Sequence, residues 1–124
     1  MAEPTYDYTL LKADRLIDAS NSPMIEGAAL LISGGEIAAI GRQANVRAPD
    51  GASVQEIDYG DATILPGLVD CHTHLCAPGD GTPGDEISKE DHQILLLQAA
   101  KNARTILHSG VTTIRENGAA GSTT

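Results

Sequence analysis

The chain has 124 residues, with 8 Lys and Arg against 17 Asp and Glu and a formal net charge of −9. That acidic balance excludes a nucleic-acid binder working through bulk charge, and no apolar run approaches the roughly 18 residues of a membrane-spanning helix. The length allows one domain. Three Tyr with no Phe and no Trp restrict the core to Leu, Ile, Val and Ala, which bury less apolar area per residue, so the chain is expected to stabilise itself poorly and to be part of something larger.

A basic n-region and an apolar h-region are both missing from the first residues, so no secretory signal is expected. Cys71 and Cys76 are too few for a disulfide framework or a four-thiolate zinc site. With a mean hydropathy of −0.12, a soluble protein of the reducing cytoplasm is the expectation.

In chain order, Tyr8 to Ile17 alternates imperfectly and reads as a strand, closed by turn residues from Ala19 to Pro23. Ala28 to Ile32 and Glu36 to Ile40 flank Ser33-Gly34-Gly35. Two apolar runs around a Gly-Gly pair predict a hairpin, because glycine reaches positive φ without strain. Val54 to Ile57 and Ala62 to Leu65 add two short strands around Tyr59-Gly60-Asp61. Residues 1–65 are therefore expected to form an all-β layer, with Tyr6, Tyr8 and Tyr59 packed in it.

Composition shifts at Pro66-Gly67. Leu68 to Leu75 reads as a strand with polar residues at alternate positions, and the Gly-, Pro- and acid-rich loop that follows, 77–85, is of the length that usually serves a function. From Ser88 to Ser109 the period becomes helical. Ser88 and Asp91 resemble a capping box, Leu96, Ala99, Ala100, Ala103, Ile106 and Leu107 form one apolar stripe, and Gly110 is the expected stop. Val111 to Arg115 is β-branched and strand-like. Strand, loop, helix and strand over 68–115 make one βαβ unit, the building block of parallel sheets and barrels.

Residues two apart on a strand share a face, with Cα atoms roughly 6.6 Å apart. Asp70, His72 and His74 thus face one way, and two imidazoles at that spacing can converge on one ion, since zinc–nitrogen bonds are about 2.0–2.1 Å. The opposite face, Val69, Cys71 and Thr73, is expected to pack against the helix. A His-x-His in isolation is also compatible with two partly exposed strand histidines. Here the strand turns ionisable at its carboxyl end and runs into a long loop, where α/β sheets and barrels place their active sites.

The run from Leu65 to Leu75, Leu-Pro-Gly-Leu-Val-Asp-Cys-His-Thr-His-Leu, resembles the first-strand signature of the amidohydrolase superfamily. Ile32 to Gly41 is similar to that family's β-sandwich segment. Ala103 to Arg115 resembles its first helix and second strand, closest to the imidazolonepropionase-like and prolidase-like branch. The resemblance implies an α/β architecture: residues 1–65 as an N-terminal β-sandwich segment, and 66–124 as the first β-α-β of a (β/α)8 TIM-type barrel, truncated. It also implies metal-dependent hydrolysis of a carbon–nitrogen bond in a small-molecule substrate, an amide, cyclic amide, acyl-amino acid or dipeptide. His72 and His74 would be ligands to one or two divalent ions, usually zinc, other divalent metals being allowed. Asp70 would be the supporting catalytic residue.

In that family the site is completed by a lysine or glutamate on strand 4, histidines on strands 5 and 6 and an aspartate on strand 8. None of these positions falls within the 124 residues, whereas a full barrel takes about 250 residues and a catalytic zinc about three protein ligands. The expected partners are therefore the rest of the barrel, in cis or in trans, and a second copy in a homo-oligomer, with neither nucleic acid nor membrane. A non-catalytic structural or interaction fragment and a small metal-binding module remain as alternatives.

Arg115, at the carboxyl end of its strand, suits a substrate carboxylate through its bidentate fork or an ion pair with a loop acid. Asp80, Asp85 and Glu86 read as a solvated acidic loop, Cys76 as a small packed thiol, and His92 and His108 as helix-surface residues. The loop 76–86 is expected to line the substrate entrance.

Overall fold

A computed structural model describes residues 5–118. They pack as two compact units, divided between Pro66 and Gly67. The N-terminal unit holds β1 (Tyr8–Leu16), β2 (Ile25–Ser33), β3 (Glu36–Arg42), β4 (Val54–Asp58) and β5 (Thr63–Ile64). These form one sheet in the order β3-β2-β1-β4, with β5 also pairing with β1. Strands β1 and β2 run antiparallel, with Leu10 opposite Leu31 and Ala13 opposite Ala28, whereas β4 and β5 lie parallel to β1.

The hairpin joining β2 and β3 turns on Gly34 and Gly35, with φ of 57° and 84°. Both central residues at positive φ define the turn whose twist matches that of the flanking strands. Ala28 to Leu31 are all buried, because neighbours on a strand face opposite ways and both faces of the central strand β2 are covered. Ala29 and Leu31 pack with Leu10 and Val46, and Ala28 and Leu30 with Leu16. Val46 comes from the loop after β3, where its N–H bonds back to the Arg42 carbonyl. Of the tyrosines expected in this layer, Tyr8 packs against the first cluster. Tyr6 and Tyr59 are exposed, since each lies outside a strand and brings no alternating neighbours to cover it.

Two polar devices pin the edges of this sheet. The Asp7 carboxylate accepts hydrogen bonds from the Ser53 N–H and hydroxyl at 2.9 and 2.8 Å, which hold its carboxyl below the usual range. Arg15 reaches Asp61, an exposed pair of the kind that contributes little to stability.

The C-terminal unit contains β6 (Leu68–Thr73), the single turn α1 (Gly84–Ile87), α2 (His92–His108) and β7 (Val111–Glu116), with β6 and β7 parallel. The expected strand to Leu75 stops at Thr73 because the next N–H groups leave the ladder; that of Leu75 goes to a side chain of β7. The helix expected from Ser88 starts later, at His92. Ser88 closes α1, and the cap of α2 is Asp91, whose side chain accepts from the Gln93 N–H at 2.8 Å. Gly110, at φ 94°, ends α2 as expected. The helix face that is buried carries Leu95 and Ala99, packed with Cys76. Leu96 and Leu107 of the expected stripe are both 58% exposed, because a two-stranded sheet covers only one side of the helix.

Candidate metal centre

β6 begins at a close approach. A Cβ on Gly67 would collide with the Thr112 side chain of β7, reaching its Cβ at 2.7 Å, so only glycine allows the parallel pairing to start there. The ladder then pairs Val69 with Thr113 and Asp70 with Ile114, and its register shifts before Thr73 meets Glu116. Asp70 sits at this irregularity. Its Oδ1 accepts the His72 backbone N–H at 3.0 Å, taking that donor out of the ladder and fixing the backbone that carries the first histidine.

The two imidazoles converge. His72 Nε2 and His74 Nε2 lie 3.3 Å apart, with the rings edge to face at 5.2 Å between centroids. Two nitrogens bound to one tetrahedral ion at about 2.0–2.1 Å would be separated by about 3.3–3.4 Å. The donor set therefore fits a zinc-type ion at two of its positions. The outward nitrogen of His74 completes the picture: Nδ1 lies 3.1 Å from the Gly118 carbonyl, an acceptor only, a contact that the neutral Nδ1–H tautomer satisfies with the Nε2 lone pair left for an ion. Metal-ligating histidines are oriented by such outer hydrogen bonds. Among the described residues no group of three His, Cys, Asp or Glu side chains is arranged to hold an ion.

Two residues that sequence reasoning passed over hold the chain just after His74. Glu116 Oε2 accepts the Leu75 N–H at 2.7 Å, and Asn102 Nδ2 donates to the carbonyls of Leu75 and Ala77, each at 2.8 Å. Gln98 in turn donates to Asn102 Oδ1. Leu75 is thereby gripped through both its N–H and its C=O. Spacing marks the faces on which Asn102 and Glu116 stand but not their partners. Asn102 falls at i+7 from Leu95 and i+3 from Ala99, a polar residue on a buried helical face, and Glu116 shares strand parity with the half-buried Ile114.

The remaining candidates separate by position. Arg115 is exposed, and alternation puts it on the opposite face of β7 from Glu116, so the structure brings Glu116 to the histidines and not Arg115. Of the expected packing face, Thr73 is buried, with its hydroxyl donating to the Arg115 carbonyl, whereas Val69 and Cys71 are exposed. Asp80 accepts from the Thr82 hydroxyl and N–H, bonds that hold its carboxyl below the usual range. Cys76 is buried; His92 and His108 are exposed. A cavity of about 360 Å³ lies beside His74, lined by Ala77, Thr82, Ile87 and Gly118 among others.

No protein-family model matches the chain. It is similar to the imidazolonepropionase of Cupriavidus pinatubonensis, 32% identical over 123 residues, a match covering 80% of this chain and 29% of that protein. It is also similar to the N-substituted formamide deformylase of Arthrobacter pascens, 36% identical over 70 residues, covering 56% of this chain and 12% of the relative. Among solved structures, an amidohydrolase superposes with a TM-score of 0.70 at 28% identity, over 92% of this chain and 26% of that one. The chain thus spans less than a third of the proteins it matches. The two named relatives are hydrolases acting on carbon–nitrogen bonds. With a mixed α/β fold, a His-x-His at the end of a parallel strand and these likenesses, the chain resembles the N-terminal region of amidohydrolase-superfamily members.

Proposed function

We propose that this chain is the opening portion of a metal-dependent hydrolase of carbon–nitrogen bonds, with residues 1–65 as the β-sandwich segment and 66–124 as the first β-α-β of a (β/α)8 barrel. The observation that carries the reading is the 3.3 Å approach of the His72 and His74 Nε2 atoms, at the strand end where barrels place their chemistry. The two histidines would hold one side of a divalent ion, zinc by preference. Such an ion supplies a lowered pKa for its water and polarisation of a carbonyl.

The chain's own residues supply positions. Asp70 holds the His72 backbone, the Gly118 carbonyl keeps the His74 proton on Nδ1, and the 76–86 loop with its cavity borders the substrate. Arg115 is exposed on the opposite face of β7 from Glu116, so the proposal gives it no place beside the histidines. The further ligands and the proton acceptor belong to barrel strands outside this chain, present in cis or in trans. The substrate is a small amide, cyclic amide or acyl-amino acid, and the setting is cytoplasmic.

The test replaces His72, and separately His74, by Asn in the complete protein, with bound metal and amide hydrolysis measured together. Each variant is expected to lose metal and to lose activity by more than the roughly 100-fold that removal of an outer-shell partner costs. A variant retaining both would refute the proposal.

A further inference from the structure

Among the described residues Glu116 Oε1 is buried without a hydrogen-bond partner, although the other oxygen of the same carboxylate accepts from Leu75. Unpartnered buried carboxylate oxygens are costly. This one lies 3.6 Å from His74 Nδ1, beside the Gly118 carbonyl that takes the Nδ1 proton. The Nδ1 edge of His74 therefore faces two acceptors, and its Nε2 faces His72.

We propose that Glu116 is a positioning residue for His74. One carboxylate oxygen holds the backbone just beyond the histidine, and the other biases the imidazole toward the Nδ1–H form, so that Nε2 presents its lone pair. This rests on the reading of His72 and His74 as metal ligands, and it adds a residue that contacts neither metal nor substrate. A backbone tether alone would need only one of the two oxygens. The placement of the second against the imidazole edge separates a positioning role from a structural one.

The experiment uses the complete protein, with the remaining barrel strands present, and the variants Glu116→Gln and Asn102→Ala. Long-range 1H–15N NMR of the metal-free protein reports the His74 tautomer, and competition with a chelator reports zinc affinity. The wild type is expected to show the Nδ1–H form. Glu116→Gln keeps one oxygen for the Leu75 N–H but loses the second acceptor; it should populate the Nε2–H form and weaken zinc binding by about 10- to 100-fold. Asn102→Ala loosens the same loop from the other side and should leave the tautomer unchanged.

A wild-type His74 protonated on Nε2 overturns the proposal without any variant, including the case in which Glu116→Gln does not fold. An unchanged tautomer and affinity in Glu116→Gln overturns it while the metal site stands. Loss of zinc as complete as in His74→Asn makes Glu116 a ligand and also overturns it. Failure of the site itself reads differently: zinc then binds neither the wild type nor any variant.

Discussion

Gly67 meets the Thr112 side chain so closely that its replacement by Ala must move β6 or β7. Thr112 is short and β-branched and has no flexible end to swing away. Gly67→Ala should destabilise the C-terminal unit by about 1–3 kcal/mol, the usual cost of forced overpacking, measured by denaturant unfolding. Adding Thr112→Gly should recover part of the loss, and no recovery would remove the collision as the cause. At this scale the sequence was partly readable. Gly67 stood out as a breaker between composition regimes, while its packing role depends on a residue 45 positions later. His72 and His74 were legible because their spacing alone puts them on one strand face. Glu116 was not, because its partner is a backbone N–H brought to it only when β6 and β7 pair.

The connection after β6 depends on a helix. Asn102 donates to two loop carbonyls and accepts from Gln98, so α2 serves as the wall on which the Leu75–Ala77 backbone is fastened. Asn102→Ala leaves both carbonyls short of a donor and should cost about 1–3 kcal/mol. Amide exchange in the 75–77 segment should quicken while the interior of α2 keeps its protection. Uniform loss across the helix would instead mean that Asn102 supports α2 itself. The elements followed the sequence where local chemistry is decisive: the Gly34-Gly35 turn, the strands on either side of it, and the Gly110 stop. They departed from it at Ser88, which closes α1, while the Asp91 carboxylate caps α2 by accepting the Gln93 N–H.

Across the whole molecule, the apolar surface exceeds what the described elements cover. Leu97 is 68% exposed, Val69 62% and Ile37 66%, in a protein with neither Phe nor Trp to shield them. Large apolar side chains left exposed in each unit favour association. The chain by itself is therefore expected to sediment as more than a monomer at micromolar concentration, and Leu96→Glu with Leu97→Lys should return it toward the monomer. A monodisperse wild-type monomer would contradict this. Sequence alone determined the strand-rich first half, the hairpin, the amphipathic helix and the shared face of the two histidines, because each follows from spacing within a few residues. The tertiary structure decided which side of α2 is buried, where β6 ends, and that Glu116 and Asn102 hold the backbone after His74, because those outcomes depend on groups 25 to 42 positions apart that meet only when parallel strands and their helix pack together.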